Sequence, residues 1–160
     1  MKNFVIYKTD LGYFKMEYEN DAIICLKKLN HERVEEFGVE TDLTKRAYQQ
    51  LLEYFEGKRK AFDVPYELRG TEFQIKVWRA LCHIPYGETR SYKEIAVAVG
   101  NEKASRAIGM ANNKNPINII VPCHRVIGTS GKLVGYVGGL EMKEYLLNME
   151  KRTLVSEVGK

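Results

Sequence analysis

No apolar run in this 160-residue chain approaches the roughly 20 residues that a membrane helix requires, which excludes a helix-spanning protein. The opening stretch, Met1 to Asp10, lacks the basic and apolar regions of a secretory leader. Cysteines are few: Cys25, Cys82 and Cys123 are odd in number and include no CxxC pair. That argues against a disulfide framework and for a reducing, intracellular, cytoplasmic setting. No internal repeat or low-complexity tract interrupts the chain. Hydrophobic residues make up 44% and charged residues 29%, so disordered, collagen-like and fibrous classes fall away. A chain this long buries a core without staples, as one ordinary domain or two small ones.

The net charge of +4 says little, but its distribution says more. Residues 1–68 carry 11 Lys/Arg against 13 Asp/Glu, whereas residues 69–160 carry 14 against 8. Between Lys76 and Lys132 the ratio is 9 basic to 3 acidic. Such asymmetry suits a second half that meets a polyanion, or equally a solvated basic face.

The first 68 residues read as an N-terminal domain of strands followed by a helix. Phe4 to Tyr7, Leu11 to Tyr18 and Ala22 to Leu29 are β-branched or aromatic runs, separated by the turn residues Asp10, Gly12 and Asn20-Asp21. Leu43, Ala47, Leu51, Leu52 and Phe55 repeat at helical spacing, with Thr41 or Asp42 as cap and Gly57 as stop. Asp63-Val64-Pro65 reads as a linker or a last short strand.

Residues 69–160 form the second predicted domain. Thr71 with Gln74, and Ser91 with Glu94, are capping boxes that open two helices. Gly100-Asn101 then leads to a third helix over Lys103 to Asn112, which gives a helix-turn-helix pattern. Asn115-Pro116 breaks that helix, and Ile117 to Val121 reads as a strand. A Gly-rich hairpin with its tip at Ser130-Gly131 follows, and then a last helix with Met142, Tyr145, Leu146 and Met149 facing inward. The fold class is α/β (α+β): a small antiparallel sheet plus helix, then a helical, winged-helix-like domain.

One constellation carries chemistry: Pro122-Cys123-His124-Arg125, directly after the apolar run. A cysteine is reactive when basic neighbours favour its thiolate, and His124 and Arg125 are adjacent. Adjacent residues on a true strand point to opposite faces, so a Cys–His contact needs a turn here. Taken alone, a cysteine ending an apolar strand is most often a core residue.

Asn115 to Gly128, reading NPINIIVPCHRVIG, resembles the active-site segment of the O6-alkylguanine-DNA alkyltransferases, the methylated-DNA–protein-cysteine methyltransferases. The resemblance runs from Thr71 to Glu150 through Gly87-Glu88, Ser91-Tyr92, Ala104 to Gly109, Ser130-Gly131, Gly135-Tyr136, Gly138-Gly139-Leu140 and Lys143-Glu144. It implies stoichiometric transfer of the alkyl group of O6-alkylguanine in double-stranded DNA to Cys123, with O4-alkylthymine a further candidate substrate. His124 would take the thiol proton through a water, and Glu150 would orient the histidine. Asn115 would be the hinge that ties the recognition helix to the active-site strand.

The substrate base is stacked in a duplex and must be extruded. By the same resemblance Tyr92 would press on the 3′ phosphate, and Arg106 would fill the vacated stack from the minor groove. Ala104, Ser105 and Gly109 would keep the approach close, and Arg125 would add a DNA contact. Tyr136, Val137, Gly138, Val126 and Asn118 would line the substrate pocket. The Val137 N–H would donate to guanine O6, and the Cys123 and Val126 carbonyls would accept from the exocyclic amine. Val137 stands where some members have serine, and Asn118 where some have proline or a small residue. The thioether product is a poor leaving group, so each molecule would act once. Cys25 and Cys82 read as core thiols. Cys25, His31, Cys82 and His83 lack zinc-site spacing, so neither metal nor cofactor is expected. The expected partner is DNA alone, with no membrane or protein partner and the chain a monomer. A non-catalytic helix-turn-helix DNA binder and a cysteine hydrolase are the alternatives.

Overall fold

Alternating apolar residues build the first sheet. β1 (Asn3–Thr9), β2 (Gly12–Glu19) and β3 (Ala22–Lys28) form an antiparallel meander in that order. Val5 and Tyr7 of β1 pair with Met16 and Phe14 of β2, and all four are buried. The β2–β3 turn places Asn20 and Asp21 at φ 51° and 62°, the left-handed pair that a two-residue hairpin demands. α1 (Asp42–Phe55) starts at Thr41, whose side chain exchanges hydrogen bonds with Thr44 in a capping box. It ends where the Gly57 and Lys58 N–H groups bond the Tyr54 and Glu53 carbonyls, with Gly57 at φ 74°. Burying a side chain such as Leu51 contributes about 1.5–3 kcal/mol.

In this computed structural model, residues 3–30, 33–131 and 139–158 are described. The chain divides into two units: residues 1–69 with 116–120, and residues 70–115 with 121–160. The expected boundary at 68/69 therefore acquires an exception, because 116–120 joins the first unit. The free edge of β3 explains it. Ile23 exchanges backbone hydrogen bonds with Pro65 and Glu67, and Leu26 exchanges them with Pro116 and Asn118. Two passing segments thus satisfy an edge that would otherwise stay open.

Ile117 to Val121 is not the predicted strand. Ile117 makes a single bridge with Leu26, and the Ile120 N–H then bonds the Asn118 carbonyl at 2.8 Å. This closes a three-residue turn around Ile119 at φ 74°, a strained geometry for a β-branched residue. A largely apolar run reads alike whether it pairs along its length or only at isolated residues.

In the second unit α2 (Glu72–Leu81) and α3 (Tyr92–Ala98) begin at the two capping boxes, Thr71/Gln74 and Ser91/Glu94. α3 stops in a Schellman motif: Gly100, at φ 82°, and Asn101 donate to the Val97 and Ala96 carbonyls. α4 spans Ser105–Asn113, so Lys103 and Ala104 precede the helix and Ala104 is its uncharged cap. Buried Trp78 donates its indole N–H to the Ala111 carbonyl at 2.8 Å, joining α2 to α4. β4 (Arg90–Ser91) pairs in parallel with β5 (Val126–Ile127), a short ladder that sequence patterning did not reveal. α5 (Leu140–Val158) closes the unit.

Two core assignments are corrected. Cys82 is exposed, because one residue beyond buried Leu81 the helical phase turns outward. Tyr145 is likewise exposed, and the inward face of α5 carries Met142, Lys143, Leu146, Met149 and Glu150. The predicted hairpin beyond Gly131 lies outside the described residues, as does His31.

Candidate active site

Pro122 dictates the local geometry. Its ring holds φ at −81°, and with ψ 64° it makes an inverse γ-turn in which the Cys123 N–H donates to the Val121 carbonyl at 2.8 Å. Cys123–Arg125 follow as one 3-10 turn, closed by the Val126 N–H on the Cys123 carbonyl. This is the turn the Cys–His pair requires, since successive residues now diverge by about 120° rather than opposing each other. Cys123 is 1% exposed, and His124, Arg125 and Val126 are buried beside it.

Asn112 on α4 and Asn115 just beyond its end hold this turn. Asn115 donates to the Val121 carbonyl at 2.8 Å, and Asn112 donates to the Cys123 carbonyl at 3.3 Å. The backbone on either side of Pro122 is therefore tied to the second helix of the helix-turn-helix. Asn112 went unnoticed in the sequence; an asparagine one residue past Ala111 on a helix read as apolar is the signal that marks it.

α5 supplies the acid. Glu150 Oε2 lies 2.7 Å from His124 Nε2, and Arg125 reaches both carboxylate oxygens, with Nη2 to Oε2 at 2.9 Å and Nε to Oε1 at 3.0 Å. The Gly87 N–H donates to Oε1 at 3.0 Å. Gly87 sits at φ 81°, the left-handed region that favours glycine, and a Cβ there would fall 2.1 Å from the tip of the Leu154 side chain. Burial alone would raise the Glu150 carboxyl. The His124 and Arg125 hydrogen bonds override it and hold the group down at about 2. Glu150 is thus a carboxylate that only accepts, which makes His124 Nε2 the donor and gives Nδ1 the ring's lone pair. Burial pushes the His124 pKa down, with Glu150 opposing, so the imidazole is neutral near pH 7.

A second charge on α5 is Lys143, two turns before Glu150 on the same inward face and fully buried. Burial pushes its ammonium down to about 8, and the Cys123 sulfur pulls the other way. A cation coupled to the sulfur favours the thiolate. Lys143 carried no predicted role; a lysine among the apolar positions of α5 is its sequence signal. Cys25, in the first unit, is the opposite case: burial, and then Glu17, push its thiol up to about 11, which makes it inert.

Tyr92 opens α3, half-buried, with its ring over Gly109; a Cβ on that glycine would stand 3.7 Å away. Burial and the nearby Cys123 sulfur raise its phenol. Arg106 is exposed near the start of α4, where Ala104 and Ser105 are half-buried. Arg125 is corrected. It is buried, its fork is spent on Glu150, and its Nη1 donates to the Ile84 carbonyl at 2.9 Å, so it is not available to DNA. Asn118 falls in the first unit and is buried, with its N–H on the Leu26 carbonyl. Tyr136, Val137 and Gly138 lie outside the described residues. Among the described residues no three His, Cys, Asp or Glu side chains gather to hold a metal ion.

The fold and sequence have close counterparts. Residues 72–152 match the family described as 6-O-methylguanine DNA methyltransferase, DNA binding domain. The methylated-DNA–protein-cysteine methyltransferase of Methanosarcina mazei is 53% identical over 82% of this chain and 84% of its own. That of Methanosarcina barkeri is 58% identical over 69% of this chain and 70% of its own. The crystal structure of Mycobacterium tuberculosis O6-methylguanine methyltransferase superposes with a TM-score of 0.86 at 44% identity, covering 96% of this chain and 94% of that one. The same organism's OGT in complex with DNA gives 0.86 at 45%, covering 94% and 93%. With a reactive-cysteine turn, its acid–histidine pair and a helix-turn-helix in one unit, this chain belongs to the methylated-DNA–protein-cysteine methyltransferase family.

Proposed function

We propose that this protein repairs O6-alkylguanine in double-stranded DNA by moving the alkyl group onto Cys123, once per molecule. The observation that carries this reading is the buried Cys123 turn backed by the 2.7 Å His124–Glu150 contact. The thiol proton passes through a water to His124 Nδ1, the ring nitrogen that Glu150 does not occupy. The thiolate sulfur attacks the alkyl carbon, the carbon–O6 bond breaks, and its electron pair leaves with the guanine. The base regains a proton at N1, and Cys123 is left as a thioether. Lys143 and the ionised His124 balance the charge that moves through the site.

DNA meets the exposed face of α4. No acidic side chain lies between Lys103 and Lys114, and Arg106, Ala107 and Met110 are exposed there. Small residues permit close approach to the minor groove, and a planar guanidinium stacks where the base has left. Tyr92, between this face and Cys123, steers the flipped nucleotide. Among the described residues no helix is long and apolar enough to cross a membrane. A monomer in the reducing cytoplasm suits a thiol that must stay unoxidised until it reacts.

Intact-protein mass spectrometry after incubation with a duplex carrying one O6-methylguanine tests the function. A gain of one CH2, confined to Cys123 and saturating at one per protein, is the expected result. A bound duplex with no mass gain refutes transfer. Arg106→Ala is expected to slow repair in duplex by about tenfold or more while leaving the free-base reaction within about twofold; equal losses on both refute the stacking role.

A further inference from the structure

Asn112 lies on the inward face of α4 and is 1% exposed. Its Nδ2 donates to the Cys123 carbonyl, which already accepts the Val126 N–H, so both lone pairs of that carbonyl are engaged. Among the described residues, Asn112 Oδ1 is buried and has no hydrogen-bond partner. The amide cannot turn over to relieve it, because Oδ1 would then face the Cys123 carbonyl, acceptor against acceptor. Helix α4 would be more stable with an apolar residue here, since a solitary acceptor kept from water is costly. The orphan oxygen belongs to the same amide that touches the nucleophile's own carbonyl. A donor arriving with the substrate would satisfy it.

The chemistry of the lesion specifies that donor. O6-alkylation removes the N1 proton of guanine and leaves the exocyclic 2-amino group as the only donor on the Watson–Crick edge. We infer that Asn112 is a specificity-determining residue whose Oδ1 accepts a hydrogen bond from the 2-amino group of the flipped base. The inference rests on the alkyl-transfer reading above. It moves part of the reading of the amine from the Cys123 carbonyl, already doubly bonded, to the side chain held against it.

Transfer rates to O6-methylguanine and O6-methylhypoxanthine, which lacks the 2-amino group, test this by intact mass. The unaltered protein is expected to prefer guanine by about tenfold or more. In Asn112→Leu both reactions slow, because the bond that holds the Cys123 turn is lost with the side chain, but the guanine reaction slows further and the preference falls to within about twofold. A preserved preference overturns the inference. So does an equal fall on both substrates, the signature of a brace that only positions the turn. Asn112→Ala is read by the same ratio, so a leucine variant that fails to fold does not rescue the inference. If the unaltered protein methylates on neither substrate, the transfer reading itself has failed, which is a different result from an unaltered ratio.

Discussion

Cys123→Ser is expected to bind duplex DNA as the parent does and to gain no alkyl mass, with a rate loss of about 10⁴-fold or more. The substitution is nearly isosteric. The Cys123 N–H and carbonyl, not the sulfur, bond Val121, Val126 and Asn112, so the turn stays in place. The loss is chemical. A hydroxyl ionises far above neutral pH, and neither the neutral His124 nor the Lys143 cation brings it within range. In the proposed docking DNA meets the exposed face of α4, whereas Cys123 is buried. Gel shift with an O6-methylguanine duplex, run beside intact mass, separates the two. Retained transfer in Cys123→Ser would remove Cys123 from its role.

Glu150→Gln is the second large effect, and it strikes stability as well as rate. Glu150 receives Arg125, His124 and the Gly87 N–H, all buried or half-buried. Glutamine offers one acceptor oxygen and no charge, leaving the Arg125 guanidinium uncompensated. Breaking a buried pair from one side costs about 3–5 kcal/mol, which for a chain of this size lowers Tm by about 10 °C. Glutamine also loses its hold on the His124 tautomer, so transfer slows together with stability.

The pH dependence follows from the same residues. The Glu150 carboxyl is at about 2 in the folded state against an ordinary 4.5, so its contribution is complete above 4.5 and drains away as pH falls toward 2. His124 is also held below its ordinary 6.5, so the unfolded chain takes up its proton first and stability begins to fall below that pH. The two losses run in the same direction. Thermal melts from pH 7 to pH 2 are expected to show both in the parent, and Glu150→Gln to flatten the limb between 4.5 and 2. An unchanged lower limb would show that Glu150 is not the group responsible.

Much of this was legible beforehand because local rules were obeyed locally. Thr71/Gln74 and Ser91/Glu94 cap the helices they precede, and Gly57 and Gly100 end the helices before them. The Asn20-Asp21 turn spaces β2 from β3. Each of these depends on residues within four positions of one another, which is the range a sequence displays. The PCHR string drew attention to Cys123 for the same reason, although its proposed role as nucleophile came from the resemblance over Thr71 to Glu150. What failed was read from hydrophobicity alone: Ile117, Ile119 and Val121 are buried without forming a strand, and Cys82 and Tyr145 adjoin apolar residues without facing inward.

Which side chains have the chemistry, where helices start and stop, and the need for a turn before Cys123 and His124 cooperate are all written in the amino-acid order. What those side chains meet depends on how the whole chain packs. Glu150 is 26 residues from His124, and Gly87 is 63 from Glu150. Arg125 faces inward to that carboxylate rather than outward to a phosphate, and Asn112 closes on Cys123 from another helix. A buried charge is tolerable only beside its partner. The partner is chosen by packing, across distances along the chain that no local pattern records.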